Sequence, residues 1–553
     1  MSDNRLSRRS FIAAAGMSAA AMTLDVSRIK ACAASMGPKS DYPVVVIGAG
    51  LGGLTCAAYL ARDGVPVTVV EQHSVPGGYA TAFEREGGKY NFEVSLHGTS
   101  INNNSPARIL DDLGVLQKLE LVRLPDTYRI KTCAGDVVVP QSDPEVFIEN
   151  LARRFPQEAE GIRSFVNEML TVHTETEAYG SKSAFYKKYF KLIFPLMYPT
   201  MWKMRSKFLA DLLDDHVQSP KVRNLLSFLW GYYGLPPSKL SGFYYALATG
   251  EYLKNGSYYI KDRSQRLSGL LAGTIETAGG RMIFGHAVEK VALKGRAVSG
   301  VTLSDGRALP ARSVVCNGSA LTLFEQMLPD KSVPEEYLKK LNAYHPSISC
   351  FLVWLGLNRS IVDRVPGYST AVESGHSPED AYALGIKGDI ENVPYSVCVY
   401  DHLYEGYSAP GTSTLMIIAL VGYEPWHRFA SDYRAGRKEA YLGEKKRWAE
   451  TLVRRTEHDL IPGLGQMIEV QESATPLTNW RYTGNTEGAI YGFEQSMENA
   501  YMNRISNRTP IKGLYLAGSW GNPGGGYAGV LRSGQMTFEM MMQDWGGDQG
   551  DHV

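Results

Sequence analysis

Six cysteines are spread over 553 residues, at Cys32, Cys56, Cys133, Cys316, Cys350 and Cys398, and no two form a CxxC pair. That spacing excludes a zinc ribbon or a dithiol redox motif, and no metal is expected. Excess charge of either sign is also missing: Lys+Arg and Asp+Glu both number 57. Without a basic face, nucleic acid is not an expected partner. There is no internal repeat and no long low-complexity tract. The apolar stretch Phe11 to Leu24 is too short to span a bilayer, which needs about 20 residues. What remains is an ordinary globular composition, 44% hydrophobic and 21% charged, long enough for two or more folding units.

That apolar stretch belongs to a leader. Ser7-Arg8-Arg9-Ser10-Phe11-Ile12 has the pattern of a twin-arginine export signal, an Ala-rich run follows, and Ala31-Cys32-Ala33-Ala34 offers an A-x-A-like end. The alternative is a basic leader that happens to hold two arginines. Residues 1–34 are expected to be a signal, and the protein to be periplasmic, with a disulfide permitted but no pairing indicated.

Glycine is abundant where it should cost most. Gly518 to Gly529 reads GSWGNPGGGYAG, six glycines in twelve residues, directly after the apolar run Leu514-Tyr515-Leu516-Ala517. Glycine loses the most conformational freedom on folding, so either a flexible tail or a close approach must explain it. A second cluster lies near the start. Pro43-Val44-Val45-Val46-Ile47 predicts a buried strand, Gly48-Ala49-Gly50-Leu51-Gly52-Gly53 a turn, Leu54 to Arg62 a helix, and Val65 to Val70 a second strand ending at Glu71. Strand, GxGxxG, helix, strand and acid form a dinucleotide-binding unit. Gly48 makes the tight turn, Gly50 admits a pyrophosphate, Gly53 lets helix and strand pack, and the helix N-terminus attracts phosphate. Glu71 is placed to accept from both ribose hydroxyls.

After Glu71 comes Pro76-Gly77-Gly78, a second glycine turn that resembles the adenine-dinucleotide segment of FAD-dependent amine oxidases and phytoene desaturases. Five stretches, VVVIGAGLGGLTCAAYLARDG, EQHSVPGG, FLADLLDDHVQSPKVRNLLSFLWGYYGLPPSKLS, ATPLTNWRYTGNTEGAIYG and GLYLAGSWGNPGGGYAGVLRSGQ, together resemble the phytoene desaturase, carotenoid isomerase and retinol saturase family. The resemblance runs in order over nearly the whole chain after residue 43. It implies FAD and a Rossmann-type, two-dinucleotide-binding-fold α/β flavoprotein with an α+β substrate domain and a helical cap. The FAD domain would be discontinuous, over 43–125, 256–320 and 475–545, with 126–255 and 321–474 forming the substrate and cap domain.

In that class the block from Leu267 to Asn317 returns to the nucleotide domain, and the main chain near Val288 faces the adenine. Gly513 to Gly518 would be the last strand. Pro523-Gly524-Gly525-Gly526 would lie against the flavin ring, and Ala528-Gly529-Val530 would start the final helix at the flavin's O2/N1 edge. Gly518, Gly525 and Gly526 thus count as cofactor residues, and the glycines serve close approach. Three departures stand out: Tyr79 where an Arg or Ser is usual, Asp262-Arg263 in place of Gly-Gly beside the cofactor, and Ser519 in place of an acid.

His97 occupies the place of a histidine near the flavin in retinol saturase-like relatives, as a candidate proton donor or acceptor or as a structural histidine. Glu93 is read as structural, and Arg481 and Tyr482 as pocket-lining. Residues 181–208 mix aromatics with Lys187, Lys188, Lys191, Lys203, Arg205 and Lys207 and contain no acid, which suits either a membrane surface or a solvated cap.

The expected function is FAD-dependent addition or removal of hydrogen at carbon–carbon bonds of a lipophilic isoprenoid or polyene. The alternatives are a redox-neutral polyene isomerase, an amine oxidase-like enzyme, and a flavin carrier without turnover. An aromatic cage at the flavin would favour amines, and a long apolar tunnel polyenes. Outside the cytoplasm NAD(P)H is not expected, and no second GxGxxG unit is present, so a quinone or haem protein is the expected electron partner.

Overall fold

The structure is a computed structural model that describes residues 43–547, except 133–134, 142, 181, 183–185, 187–192, 374 and 501–502. The leader over 1–34 and the Lys187, Lys188 and Lys191 cluster lie outside the described residues.

A five-stranded parallel sheet forms the nucleotide half. Its strands are β1 (Val44–Ile47), β2 (Val67–Glu71), β3 (Arg281–Phe284), β4 (Ser313–Cys316) and β5 (Leu514–Leu516), in the order β5-β4-β1-β2-β3. The β-branched runs of β1 and β2 suit strands covered on both faces, and all four residues of β1 are buried. Helices α1 (Leu51–Arg62), α2 (Ser264–Thr277) and α3 (Tyr527–Gly547) pack beside it, with both α2 and α3 against α1. A three-stranded antiparallel sheet, Val288–Lys294, Ala297–Leu303 and Ala308–Pro310, joins the same half.

The other half rests on a seven-stranded sheet. Strands Asp126–Thr132 and Gly135–Pro140 join it at one edge, and the other five come from 349–474. Its strand Ser349–Leu357 is buried along all nine residues. The two-residue period of a strand sorts them: Cys350, Leu352 and Trp354 face the nucleotide half, while Phe351, Val353, Leu355 and Leu357 pack with Trp426 and Trp448 on the opposite face. A cap of helices that includes Ala159–Gly180, Leu209–His216 and Gly242–Asn255 has its own core around Phe165, Leu212 and Tyr245. Among the described residues no helix is long and apolar enough to cross a membrane.

Candidate functional site

The turn between β1 and α1 closes around one side chain that the sequence did not mark, Asn317, just past the end of β4. Its Oδ1 accepts from the Gly53 N–H at 2.9 Å. A Cβ on Gly50 would stand 2.6 Å from Asn317 Nδ2, one on Gly52 2.8 Å from Oδ1, and one on Gly518 2.4 Å from Oδ1. Gly52 and Gly518 also meet directly, since a Cβ on Gly52 would lie 2.6 Å from Gly518 Cα. The glycines therefore make room for Asn317 and for each other as well as for a ligand. Gly53 packs on the Gly48 carbonyl, 2.4 Å from where its Cβ would be. Gly48, Gly50 and Gly52 line a cavity, whereas Gly53 and Gly518 lie behind its wall. No acid stands in the first turn of α1 to compete with a phosphate.

Glu71, at the end of β2, also lines the cavity. Its Oε2 accepts from the Ala49 N–H at 2.7 Å and its Oε1 from the His73 N–H at 2.8 Å. Burial pushes the carboxyl up, and those two N–H bonds oppose the shift. Each oxygen keeps a lone pair for a ribose hydroxyl. Gly77 is forced to be glycine, with φ 132° and a Cβ position 2.2 Å from the Ala80 carbonyl, and Gly78 sits beside the Gly50 Cα. Both line the cavity, as does Val288. Tyr79 reaches across from the turn to donate to the carbonyls of Gly488 and Ala489, both at 3.2 Å. A cradle of glycine backbone at a helix N-terminus, with an acid at the next strand end, fits an adenine dinucleotide.

The C-terminal glycines divide by purpose. Gly525, Gly526, Ala528, Gly529 and Val530 line the cavity. Yet a Cβ on Gly525 would lie 2.8 Å from the Tyr491 backbone, and one on Gly524 2.7 Å from Gln495 Nε2. Only Gly526, with φ 81°, would point a Cβ into open space. Gly524 and Gly525 are therefore glycine because protein already fills the space of a side chain, while the backbone of Pro523, Gly525 and Gly526 stays in the cavity wall. Asp262 and Arg263, expected in a loop near the cofactor, are not in the cavity wall. Both residues hold positive φ, 65° and 72°, and Arg263 donates to the Tyr407 carbonyl at 2.8 Å. Glu93 is fully buried and accepts from the Ser264 N–H at 2.9 Å at the start of α2. Tyr482 lines the cavity and Arg481 does not.

The cavity has a volume of about 1420 Å³ and continues from the nucleotide residues to the cap and the large sheet. His97 is in its wall, Nδ1 3.4 Å from Cys398 Sγ, and burial lowers the imidazole to about 4. It is neutral at physiological pH, with one N–H donor and one acceptor nitrogen. Burial pushes the Cys398 thiol up to about 12, so the dyad carries no thiolate. Tyr491, Tyr244, Tyr252 and Tyr232 share the wall with Leu352, Ile418 and Leu420. Scattered tyrosines leave no motif, which is why the sequence did not single them out. Of the acids on this side, Asp126 pairs with Arg129 at 3.0 Å, Glu251 with His173 at 2.6 Å, and Glu177 with Lys254 at 2.8 Å, while Glu373 also lines the cavity with its carboxyl pushed up by burial. Among the described residues no group of three or more His, Cys, Asp or Glu could hold a metal ion, and the four described cysteines are buried and unbridged.

A family model described as flavin containing amine oxidoreductase matches residues 51–537. The prolycopene isomerase of Daucus carota is 23% identical, over 93% of this chain and 82% of that protein. The all-trans-retinol 13,14-reductase of Danio rerio is 24% identical, over 86% and 82%. The lycopene-forming phytoene desaturase of a Paracoccus species is 26% identical, over 90% and 97%. Among solved structures, cyclohexylamine oxidase from Brevibacterium oxydans shares the fold, with a TM-score of 0.57 at 16% identity over 91% of this chain and 99% of its own. The chain belongs to the flavin containing amine oxidoreductase family and is an FAD-dependent oxidoreductase.

Proposed function

We propose that this member of the flavin containing amine oxidoreductase family adds hydrogen to, or removes it from, carbon–carbon bonds of a lipophilic isoprenoid or polyene. The observation that carries the reading is the single cavity of about 1420 Å³, which begins among dinucleotide residues and ends in apolar and aromatic walls. A drug-sized ligand takes roughly 300–1,000 Å³, so a long substrate can lie beyond the cofactor in the same space. The names of the three relatives support a polyene substrate.

Bound FAD supplies a two-electron donor or acceptor for hydride. The chain's own residues do the rest. Gly48, Gly50 and the start of α1 hold phosphate, and Glu71 holds ribose. Leu352, Ile418 and Leu420 line the wall and exclude water from the reacting carbon. His97 presents a neutral ring able to give or take one proton, its orientation fixed by Cys398. Positioning and dryness matter more for such a transfer than an acid–base dyad. A redox-neutral isomerase would use the same walls.

The tyrosine group around Tyr491 favours a second reading, oxidation of an amine. Against it, Asp126, Glu251 and Glu177 are all paired, and burial pushes up the carboxyl of Glu373 on the same wall, which disfavours the charged form a cationic substrate would need. Anaerobic incubation of the FAD-loaded enzyme with polyenes and with amines separates the two. A desaturase loses flavin absorbance on adding polyene, a saturase reduced beforehand regains it, and an isomerase converts polyene without net change. Bleaching by amines with no conversion of any polyene would replace the polyene reading.

The leader points to export by the twin-arginine pathway and a periplasmic location, with a quinone or haem protein as electron partner. The exposed apolar residues beside the cap support peripheral membrane contact through 181–208. Leu196 is 80% exposed, and Met197 and Trp202 are exposed beside it.

A further inference from the structure

Arg504 is buried without an anion. It is 4% exposed. Its Nε donates to the Gly521 carbonyl at 2.9 Å, its Nη1 to those of Phe493 and Glu494 at 3.1 and 3.2 Å, and its Nη2 to that of Ser519. Every acceptor is a neutral carbonyl. Among the described residues no carboxylate lies within ion-pair distance of it. The Glu494 carboxyl is turned toward His345, Ser496 and Lys239, and Gln495 beside it is neutral. Tyr244 is a phenol, pushed up to about 12 by burial. Burial lowers the guanidinium to about 10, which leaves it charged at neutral pH.

A buried cation with no counter-ion is expensive, by several kcal/mol as a typical magnitude, so its place needs a reason. That place is one layer behind the cavity wall. Ser519, whose carbonyl it holds, lines the cavity, and so do Pro523 and Gly525. A Cβ on the intervening Gly524 would sit 3.3 Å from its Cζ. On the same wall α3 begins at Tyr527, so the positive end of its dipole adds to the field. None of the cavity residues from Ser519 to Gln535 is acidic.

We propose that Arg504 holds a positive potential on the Ser519–Val530 wall that stabilises the negative charge of reduced FAD and so raises the cofactor's reduction potential. With FAD bound, hydride transfer would break one substrate C–H bond and bring the ring two electrons and one proton, while the adjacent C–H would give its proton to a base such as His97 as the carbon–carbon double bond forms. The ring keeps one net negative charge when no second proton follows. The saturating direction would reverse both transfers. Arg504 touches neither partner and is a positioning residue for charge.

The test is the flavin midpoint potential, read anaerobically by equilibration with a reference dye. Wild type should fall by about 30 mV per pH unit, the slope of one proton for two electrons. It should hold that slope at mildly acidic pH, where free reduced flavin is neutral. Arg504→Lys should keep the potential. Arg504→Gln should lower the reduced-to-oxidised ratio at fixed potential at least ten-fold, about 30 mV for a two-electron couple. Arg504→Gln at the wild-type potential overturns the proposal. Should that variant not fold, the wild-type slope decides alone: a slope twice as steep at mildly acidic pH overturns it as well.

Discussion

Asn317 shows what one residue can carry. Its carbonyl oxygen takes the Gly53 N–H, and the gaps left by Gly50, Gly52 and Gly518 are filled by its amide. Asn317→Ala would orphan that N–H and open a void between β1 and β5. A loss of about 1–3 kcal/mol is expected from the unsatisfied group, together with FAD retention at least ten-fold lower after gel filtration. A variant that keeps full FAD and the wild-type Tm would remove Asn317 from this role. Gly48, Gly50, Gly53 and Glu71 were legible in the sequence because their spacing is local and fixed by one turn. Asn317 lies 264 positions from Gly53, and a lone asparagine after a strand has no pattern of its own. Arg504 was hidden for the same reason: its meaning lies in the carbonyls around it.

Elements were readable where their period is simple. The β-branched runs at Val44 and Val67 and the strand at Leu514 all form, because apolar strands between turn residues have few other uses. The pairing of Asp126–Thr132 with Ser369–Val372 was not legible, since nothing in either strand names its neighbour. The cap segment shows a subtler gap between sequence and structure. Pro195 and Pro199 divide it into the short helices Phe194–Met197 and Pro199–Met204. Its bases have found acids on other helices, Lys203 with Glu168 and Lys207 with Asp215, while Arg205 stacks on Trp202. Charge attraction to a membrane is therefore weaker at these residues than the sequence suggests, and apolar insertion must do more. Leu196→Glu with Trp202→Glu should reduce sedimentation with anionic vesicles at least ten-fold, since each such side chain contributes roughly 1.5–3 kcal/mol when buried. Unchanged sedimentation would leave these helices a solvated cap.

At the scale of the whole molecule, the site is assembled from segments that are far apart in the chain. A twin-arginine route would carry the folded protein, so cofactor loading should precede export. Arg8→Lys with Arg9→Lys should leave flavin-loaded enzyme in the cytoplasm, and Gly50→Val, which drives a side chain into Asn317, should hold back protein whose leader is intact. Cell fractionation reads both. Wild-type protein found in the cytoplasm with its leader uncut, and its flavin quickly reduced by NADPH, would end both the location and the electron-partner readings.

The meeting of Gly52 with Gly518 also sets a clock. Leu514 leaves the ribosome 470 residues after Val44. At roughly 5–20 residues per second, β1 and α1 wait about 20 to 100 seconds for the strand that completes their sheet. Through that interval Gly52 lacks the Gly518 backbone it packs on in the finished sheet, and a chaperone has reason to hold that face. A message cut short anywhere before codon 518 yields a chain that cannot close around FAD, so a bound flavin certifies that translation reached the final strand.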